Sequence, residues 1–154
     1  MRCCWRRRPH LRTDVQGGTL FLGPHSGTDL DEVTEIVYTV GYRQLNRIQL
    51  SGALEGEALA VDTYFFSVEI FGASSLRTAG RAFDHDVRLS GASTYHSGEL
   101  ETSITVISTS GASSAVVWVL DELDASARGV SLIRYRGDPS VHSSVSGAGR
   151  VTRY

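Results

Sequence analysis

Residues 64–71 have the sequence Tyr-Phe-Phe-Ser-Val-Glu-Ile-Phe, which is the clearest indication of the fold class in this chain. Successive side chains of a β-strand point to opposite faces, so the stretch places one apolar row and one mixed row on the two faces of a strand. The apolar row consists of Tyr64, Phe66, Val68 and Ile70, and the mixed row consists of Phe65, Ser67, Glu69 and Phe71. The apolar row is expected to face a core.

Similar patterns recur on both sides of this stretch. Alternation extends over residues 36–42, 47–54 and 99–106, while residues 115–120 are apolar throughout, as in a strand covered on both faces. Shorter strand candidates are residues 19–22, 87–89 and 130–135. A short helical turn is expected over Asp121–Arg128, where Gly129 could end it. The sequence therefore predicts an all-β protein of about eight strands.

The strand count and spacing favour a single-domain β-sandwich or jelly roll. This domain is expected over residues 18–139, between a basic N-terminal arm (residues 1–17) and a polar C-terminal tail (residues 140–154). The tail is expected either to add a strand to a neighbour or to be disordered. Gly-Ala-Ser recurs at 72–74, 91–93 and 111–113. Because the flanking sequences differ, these triplets are interpreted as loops between hairpins rather than as a structural repeat.

Charge is distributed unevenly along the chain. All 15 basic residues other than histidine are Arg, and the formal net charge is −2. Residues 1–12 carry five Arg and no acid, residues 13–127 carry five Arg and sixteen acids, and residues 128–154 carry five Arg and only Asp138. Basic ends on an acidic body indicate an electrostatic partner, either nucleic acid or a neighbouring copy of the chain.

Two sets of residues are candidates for these contacts. Guanidinium groups of the arm can neutralise phosphates or contact another subunit, and Trp5 can stack on a base or enter a neighbour's pocket. The arm residues are Arg2, Trp5, Arg6, Arg7, Arg8 and Arg12. Apolar side chains on the second face of two strands indicate a second buried surface, formed with a second sheet layer, a helix or another subunit, and the subunit interface is the prediction carried forward. These residues are Phe65, Phe71, Val117 and Val119.

Catalysis and metal binding have little support in the sequence. The densest group of potential metal ligands contains Asp84, His85, Asp86, His96 and Glu99. A strand would place His85 on the opposite face from Asp84 and Asp86, and the spacing matches no metal motif. There is no Gly-x-Ser-x-Gly motif and no Lys for a phosphate-binding loop. The sequence predicts no catalytic residue, no metal and no cofactor, and hence no enzyme.

Two further features are predicted to be structural only. Arg136-Gly137-Asp138, followed by Pro139, is interpreted as a turn after a strand. No apolar run reaches the length that would span a bilayer, so no membrane span is expected.

The Arg-rich arm, about eight strands and a tail that could reach a neighbour resemble the organisation of single jelly-roll viral capsid and decoration proteins. The resemblance implies a structural virion protein that self-assembles through apolar sheet faces and basic arms. Its implied partners are further copies and other shell proteins, with nucleic acid as the alternative partner of the arm. The implied location is the virion, with the cytoplasm as the alternative.

Two other functions remain open at this point. One is a carbohydrate- or ligand-binding β-sandwich that uses loop residues such as Asp84, Asp86, Tyr95 and His96. The other is a metal-dependent enzyme built on a double-stranded β-helix.

Overall fold

The computed structural model describes residues 11–24 and 36–154, and the chain divides into two compact units, residues 1–41 and 42–154. The described part of the first unit contains an antiparallel hairpin of β1 (Leu11–Gln16) and β2 (Thr19–Pro24). Gly17 and Gly18 connect the two strands with φ angles of 57° and 80°. A two-residue turn with two positive φ angles matches the right-handed twist of a hairpin, which explains the glycine pair.

The second unit is a parallel β-solenoid of about six coils. Its strands are β3 (Arg47–Gly52), β4 (Glu55–Gly72), β5 (Ser75–Gly91), β6 (Thr94–Gly111), β7 (Ser114–Gly129), β8 (Leu132–Arg136), β9 (Ser140–Gly147) and β10 (Arg150–Arg153). Every pairing between these strands is parallel, and each strand from β3 to β7 pairs with the strand that follows it in the chain. The expected all-β class is therefore present, but the β-sandwich or jelly roll is wrong.

Each coil has two limbs, which the last coil shows most clearly. The long strand β7 pairs with β8 over Ser114–Trp118 and with β9 over Glu122–Gly129. The part of a coil equivalent to Ser114–Trp118 is called the first limb, and the part equivalent to Glu122–Gly129 is called the second limb. In β4, β5, β6 and β7 both limbs belong to one strand. Irregularities of register lie within the first limb, between Ala58 and Val61, between Arg77 and Ala79 and between Ser97 and Glu101.

A glycine turn closes every coil, and these turns stack along the axis. Glycines with positive φ angles stand at 52, 72, 91, 111, 129 and 147, every 18 to 20 residues. At Gly91, with φ of 90°, a Cβ atom would lie 2.5 Å from the carbonyl oxygen of Gly72 on the preceding coil. Only glycine fits both this conformation and this approach. The Gly-Ala-Ser triplets are thus the repeated turn, and their interpretation as loops between hairpins is wrong.

The serine of the triplet also stabilises the stacked turns. Ser74, Ser93, Ser113 and Ser131 are all buried. The hydroxyl of Ser113 lies 2.9 Å from the carbonyl oxygen of Ser110 within its coil and 3.3 Å from that of Gly91 on the preceding coil. The serine hydroxyl therefore links the turn of its own coil to the turn of the preceding coil.

The core consists of side-chain stacks that run from coil to coil. Phe66, His85, Thr105 and Leu123 occupy equivalent positions of successive coils, and all four are buried. The next inward row contains Val68, Val87, Ile107 and Ala125. Since each limb has one inward and one outward face, the period-two pattern that favours a sandwich also fits a solenoid.

Several expected positions differ from the structure. Tyr64 points outward because the chain turns a corner at residues 63–65, where the hydroxyl of Thr63 lies 3.3 Å from the carbonyl oxygen of Phe65. Asp121–Arg128 belongs to β7 and is extended rather than helical, because it pairs with strands on both sides. Residues 140–154, expected to be a polar tail, form β9 and β10 of the same solenoid.

Candidate ligand-binding groove

A groove of about 580 Å³ lies along the outer surface of the first limbs. Its central row contains Arg77, His96, Val116 and Arg134, which occupy equivalent positions on four successive coils. Strand alternation turns this row outward while the neighbouring residues Leu76, Tyr95, Ala115 and Ile133 enter the core. A second concavity of about 370 Å³ lies near the turns around Ser74, but Glu55 is the only charged residue that lines it.

Gly98 keeps the floor of the groove open. It lies in a β-bulge of β6, where the register with β7 shifts between Ser97 and Glu101. A Cβ atom at Gly98 would lie 3.4 Å from the hydroxyl oxygen of Tyr154 and 3.5 Å from a methyl carbon of Val116. Any larger side chain would therefore begin to fill the space between these two residues.

Trp118 holds Arg136 at one side of the groove. The two residues face each other on neighbouring coils, and the guanidinium carbon of Arg136 lies 4.4 Å from the centroid of the Trp118 ring. A guanidinium group stacked on an indole gains a cation–π attraction and keeps its N–H edge available to a planar anion. The contact thus restricts the orientation of Arg136 before any ligand binds.

The charge of the groove is positive. Arg77 donates to both carboxylate oxygens of Glu99 at 2.9 Å, and Glu57 lies 3.8 Å away. The hydrogen bond and the charge of Glu99 raise the pKa of Arg77. Within residues 11–24 and 36–154, no carboxylate lies within 4.0 Å of Arg134 or Arg136. These two guanidinium groups are therefore available to an anionic ligand.

Beneath the groove, His85 and Tyr95 form a buried polar pair. The Nε2 atom of His85 lies 2.9 Å from the hydroxyl of Tyr95, which lies 2.9 Å from the hydroxyl of Thr78. Burial lowers the pKa of His85 to about 3 and raises that of Tyr95. Nδ1 of His85 has no hydrogen-bond partner in the described protein. We therefore assign the proton of the neutral imidazole to Nε2, because an unpaired nitrogen lone pair is less costly than an unpaired N–H.

The predicted metal ligands are not brought together. His85 points into the core, whereas Asp86 lies on the outer face of the second limb, where its carboxylate is 3.1 Å from the guanidinium group of Arg88. His96 and Glu99 lie at the groove on the first limbs. Among the residues that the structure describes, no three His, Cys, Asp or Glu side chains are placed to share a metal ion. Of the four residues expected in a ligand-binding module, only His96 lines the groove; Asp84 and Asp86 are half-buried on the second limb, and Tyr95 is buried.

Of the four residues expected at a subunit interface, two are exposed and two are buried. Phe65 and Phe71 are 46% and 38% exposed on the solenoid surface. Val117 and Val119 are fully buried among the coils of their own chain, so the interface expected of them does not fit their position. Their inward direction follows from strand alternation next to Trp118, which points outward instead.

The basic arm lies mostly outside the described residues, which include none of Arg2, Trp5, Arg6, Arg7 and Arg8. Arg12 is on β1, where it contacts Asp14 at 2.9 Å and lies 5.0 Å from the ring centroid of Phe21. Self-association, nucleic-acid contact and the absence of enzymatic activity remain predictions.

Arg134 and Arg136, which line the groove, and Trp118, which contacts Arg136, were not predicted as functional residues. Arg134 and Arg136 have the i, i+2 spacing that places two strand residues on the same face. Trp118 reaches Arg136 only through the pairing of β7 with β8, which requires the coil register. Recognition of the repeated turn would have supplied that register. The triplet Arg136-Gly137-Asp138 does lie at the turn between β8 and β9, as expected.

The fold and the groove define a β-solenoid protein with a cationic lateral groove. The chain belongs to the family described as "Putative auto-transporter adhesin, head GIN domain", which matches residues 6–139. No curated protein matches the chain. The described residues contain no helix with the length and apolar character needed to cross a membrane.

Three solved bacterial structures are similar to this fold. A chain described as a "putative adhesin" from Bacteroides fragilis has a TM-score of 0.69 and 20% identity, covering 94% of this chain and 76% of that one. A "putative lipid binding protein" from Parabacteroides distasonis has a TM-score of 0.63 and 16% identity, with coverages of 95% and 79%. A "putative adhesin" from Parabacteroides merdae has a TM-score of 0.56 and 17% identity, with coverages of 96% and 79%.

These comparisons correct the viral interpretation. The family is described as "Putative auto-transporter adhesin, head GIN domain", and the similar solved structures are bacterial proteins rather than capsid proteins. The resemblance to jelly-roll capsid and decoration proteins, the structural virion function and the virion location are therefore wrong. That resemblance depended on a basic arm and a strand count, neither of which distinguishes antiparallel sandwiches from parallel solenoids.

Proposed function

We propose that this chain is a ligand-binding adhesin module whose groove takes an acidic glycan. The observation that carries the proposal is the pair Arg134 and Arg136, two strand residues with no carboxylate within 4.0 Å among residues 11–24 and 36–154, one of which stacks on Trp118. Bidentate hydrogen bonds from guanidinium groups match the planar carboxylate of a uronic acid and also suit a sulfate ester. The family description supports adhesion as the wider role.

The shape of the groove favours an extended chain over a single small molecule. The row from Arg77 to Arg134 crosses four coils, and neighbouring strands are about 4.8 Å apart. The row is therefore about 14 Å long, which spans roughly three sugar units. His96 adds an imidazole group and Tyr154 adds a hydroxyl group, and both groups can hydrogen-bond sugar hydroxyls. Val116 is half-buried, so the groove has no exposed apolar residue in this row for insertion into a lipid surface.

Calorimetric titration with defined oligosaccharides tests the proposal. Tetragalacturonate supplies carboxylates, a heparin-derived tetrasaccharide supplies sulfates as well, and maltotetraose has no charge. We expect at least one acidic tetrasaccharide to bind, and Arg134→Gln and Arg136→Gln each to raise its Kd about tenfold, which is the loss of one charge-assisted contact. Any affinity for maltotetraose should not change with these substitutions.

Arg128→Gln is the matched control, because it removes the same charge from an exposed position beside the turn at Gly129. Equal weakening by Arg128→Gln would indicate a general charge effect and would contradict a groove site. Failure of both acidic probes to bind would contradict the proposal as well. Binding of phosphatidylglycerol vesicles that depends on Arg134 and Arg136, without binding of either acidic tetrasaccharide, would replace the glycan with a lipid headgroup.

A further inference from the structure

We propose a second binding site, separate from the groove, in which the stacked rings of Tyr64 and Phe83 form a platform for a neutral sugar ring. The two ring centroids are 4.9 Å apart and the ring planes are inclined by only 15°. Tyr64 is 69% exposed and Phe83 is 42% exposed. The rings lie on β4 and β5 where these strands enter their second limbs, whereas the groove lies on the first limbs.

The stacking leaves one face of Tyr64 uncovered by the sheet. Phe83 covers one side of Tyr64, on the coil that follows. On the other side, β3 pairs with β4 only over Ser67–Gly72, so in the described chain no strand pairs with β4 beside Tyr64 on that side. A flat aromatic face carries partial negative charge, which attracts the partly positive C–H groups on the apolar face of a pyranose ring.

The charges around the platform select against anionic ligands. Asp62 precedes Tyr64 by two residues, and Asp84 directly follows Phe83. In the part of the chain that the structure describes, neither carboxylate has a cation within 4.0 Å; Arg81, the register partner of Asp62 on the next coil, is 3.7 Å from Glu101. Ionised carboxylates accept hydrogen bonds from sugar hydroxyls and repel acidic groups. The platform therefore suits a neutral glycan, whereas the groove suits an acidic one.

The exposed aromatic area is small compared with the surface buried in a stable protein interface. If a ring buries about 200 Å² when fully covered, the exposed parts of Tyr64, Phe83 and the nearby Phe65 amount to roughly 300 Å². A typical specific interface needs about 800 Å² from each partner. One or two sugar rings cover an area of the size available here, which favours a glycan over a second copy of the chain.

Saturation-transfer NMR and calorimetry with neutral hexasaccharides test the platform. The probes are cellohexaose, maltohexaose and mannohexaose. We expect at least one to bind, and Tyr64→Ala and Phe83→Ala each to weaken it at least tenfold. Asp84→Asn should weaken it less, because an amide still accepts one hydrogen bond. Phe71→Ala, which removes an exposed ring from the same strand, should leave the affinity within twofold of the wild-type value.

Substitutions in the groove separate this proposal from the one above. Arg134→Gln and Arg136→Gln should leave the affinity for the neutral hexasaccharide unchanged, whether or not the groove binds an acidic glycan. The platform is contradicted if none of the three neutral probes binds, or if Tyr64→Ala and Phe71→Ala have equal effects. It is also contradicted if Tyr64→Ala leaves sugar binding intact but abolishes a dimer in sedimentation velocity or the flotation of phosphatidylcholine vesicles.

Discussion

Trp118 on β7 and Arg136 on β8 occupy equivalent positions of adjacent coils, and the guanidinium of Arg136 stacks 4.4 Å from the indole centroid. Both side chains are outward-facing, so their contact adds little to the core of the solenoid. Its main consequence is that Arg136, one of the arginines that line the groove, is held in one orientation. Pre-ordering of a flexible side chain lowers the entropy that a ligand must overcome on binding.

Replacement of Trp118 should weaken binding without unfolding the protein. We expect Trp118→Ala to raise the Kd of the bound acidic tetrasaccharide about twofold to thirtyfold, since an exposed or partly desolvated cation–π contact contributes about 0.5 to 2 kcal/mol. Trp118→Phe should have a smaller effect because an aromatic face remains. Equal affinities for wild type, Trp118→Phe and Trp118→Ala in calorimetry would show that the stack does not orient Arg136 for binding.

The stacked glycine turns should tolerate no side chain. Gly91→Ala would place a methyl group 2.5 Å from the Gly72 carbonyl oxygen and would force alanine into a positive φ angle. We expect a loss of about 2 to 4 kcal/mol in the free energy of unfolding, measured by urea denaturation. Gly23→Ala adds the same methyl group where nothing lies within 4 Å, and should change stability by less than about 0.5 kcal/mol. A stability loss no larger for Gly91→Ala than for this control would contradict the close stacking of the glycine turns.

Burial of His85 should make the protein sensitive to acid. Its pKa is about 3 in the folded protein and about 6.5 in the unfolded chain, so below pH 6.5 only the unfolded state takes up this proton. The free energy of unfolding should therefore fall by about 1.4 kcal/mol for each pH unit from about pH 6.5 towards pH 3. Above pH 6.5 neither state holds the proton, and this dependence disappears.

His85→Leu isolates this contribution. The variant keeps an apolar side chain beside Phe66 and leaves Thr78 as a partner for the Tyr95 hydroxyl. Between pH 6.5 and 4.5 we expect the variant to lose about 2 to 3 kcal/mol less than the wild type, as measured by urea unfolding at each pH. His142→Leu removes an imidazole from the exposed side of β9 and serves as the control. Parallel pH profiles for wild type and His85→Leu would rule out a buried neutral histidine.

Much of the local structure could be predicted, because strand alternation is a local property. Phe66, Val68 and Ile70 face the core, and Phe65 and Phe71 face outward, as the pattern of residues 64–71 indicates. Tyr64 is exposed although alternation places it on the inward row, because the chain turns a corner there. A corner leaves no recognisable pattern of apolar and polar residues in the sequence. Alternation also cannot distinguish a partner strand in a hairpin from one in the next coil, and for that reason the overall topology was missed.

The information on topology was present in the turns. Beyond the three Gly-Ala-Ser triplets, Gly-Val-Ser at 129–131 and Gly-Ala-Gly at 147–149 continue the same spacing. The flanking sequences differ because an inward stack accepts any side chains that fill it, such as Ile70, Leu89 and Thr109. The groove was harder to predict, since the bulge around Gly98 shifts the register between coils.

The most direct test of the acidic-glycan groove is an NMR titration that follows the side-chain N–H resonances of tryptophan and arginine at low ionic strength. The acidic tetrasaccharide with the higher affinity is added to the isotopically labelled wild-type chain. The account predicts saturable shifts of the Trp118 indole and of the Arg134 and Arg136 guanidinium groups, with Arg128 unaffected. Shifts confined to Arg12 on the hairpin, or the absence of any saturable shift in the groove, would contradict it.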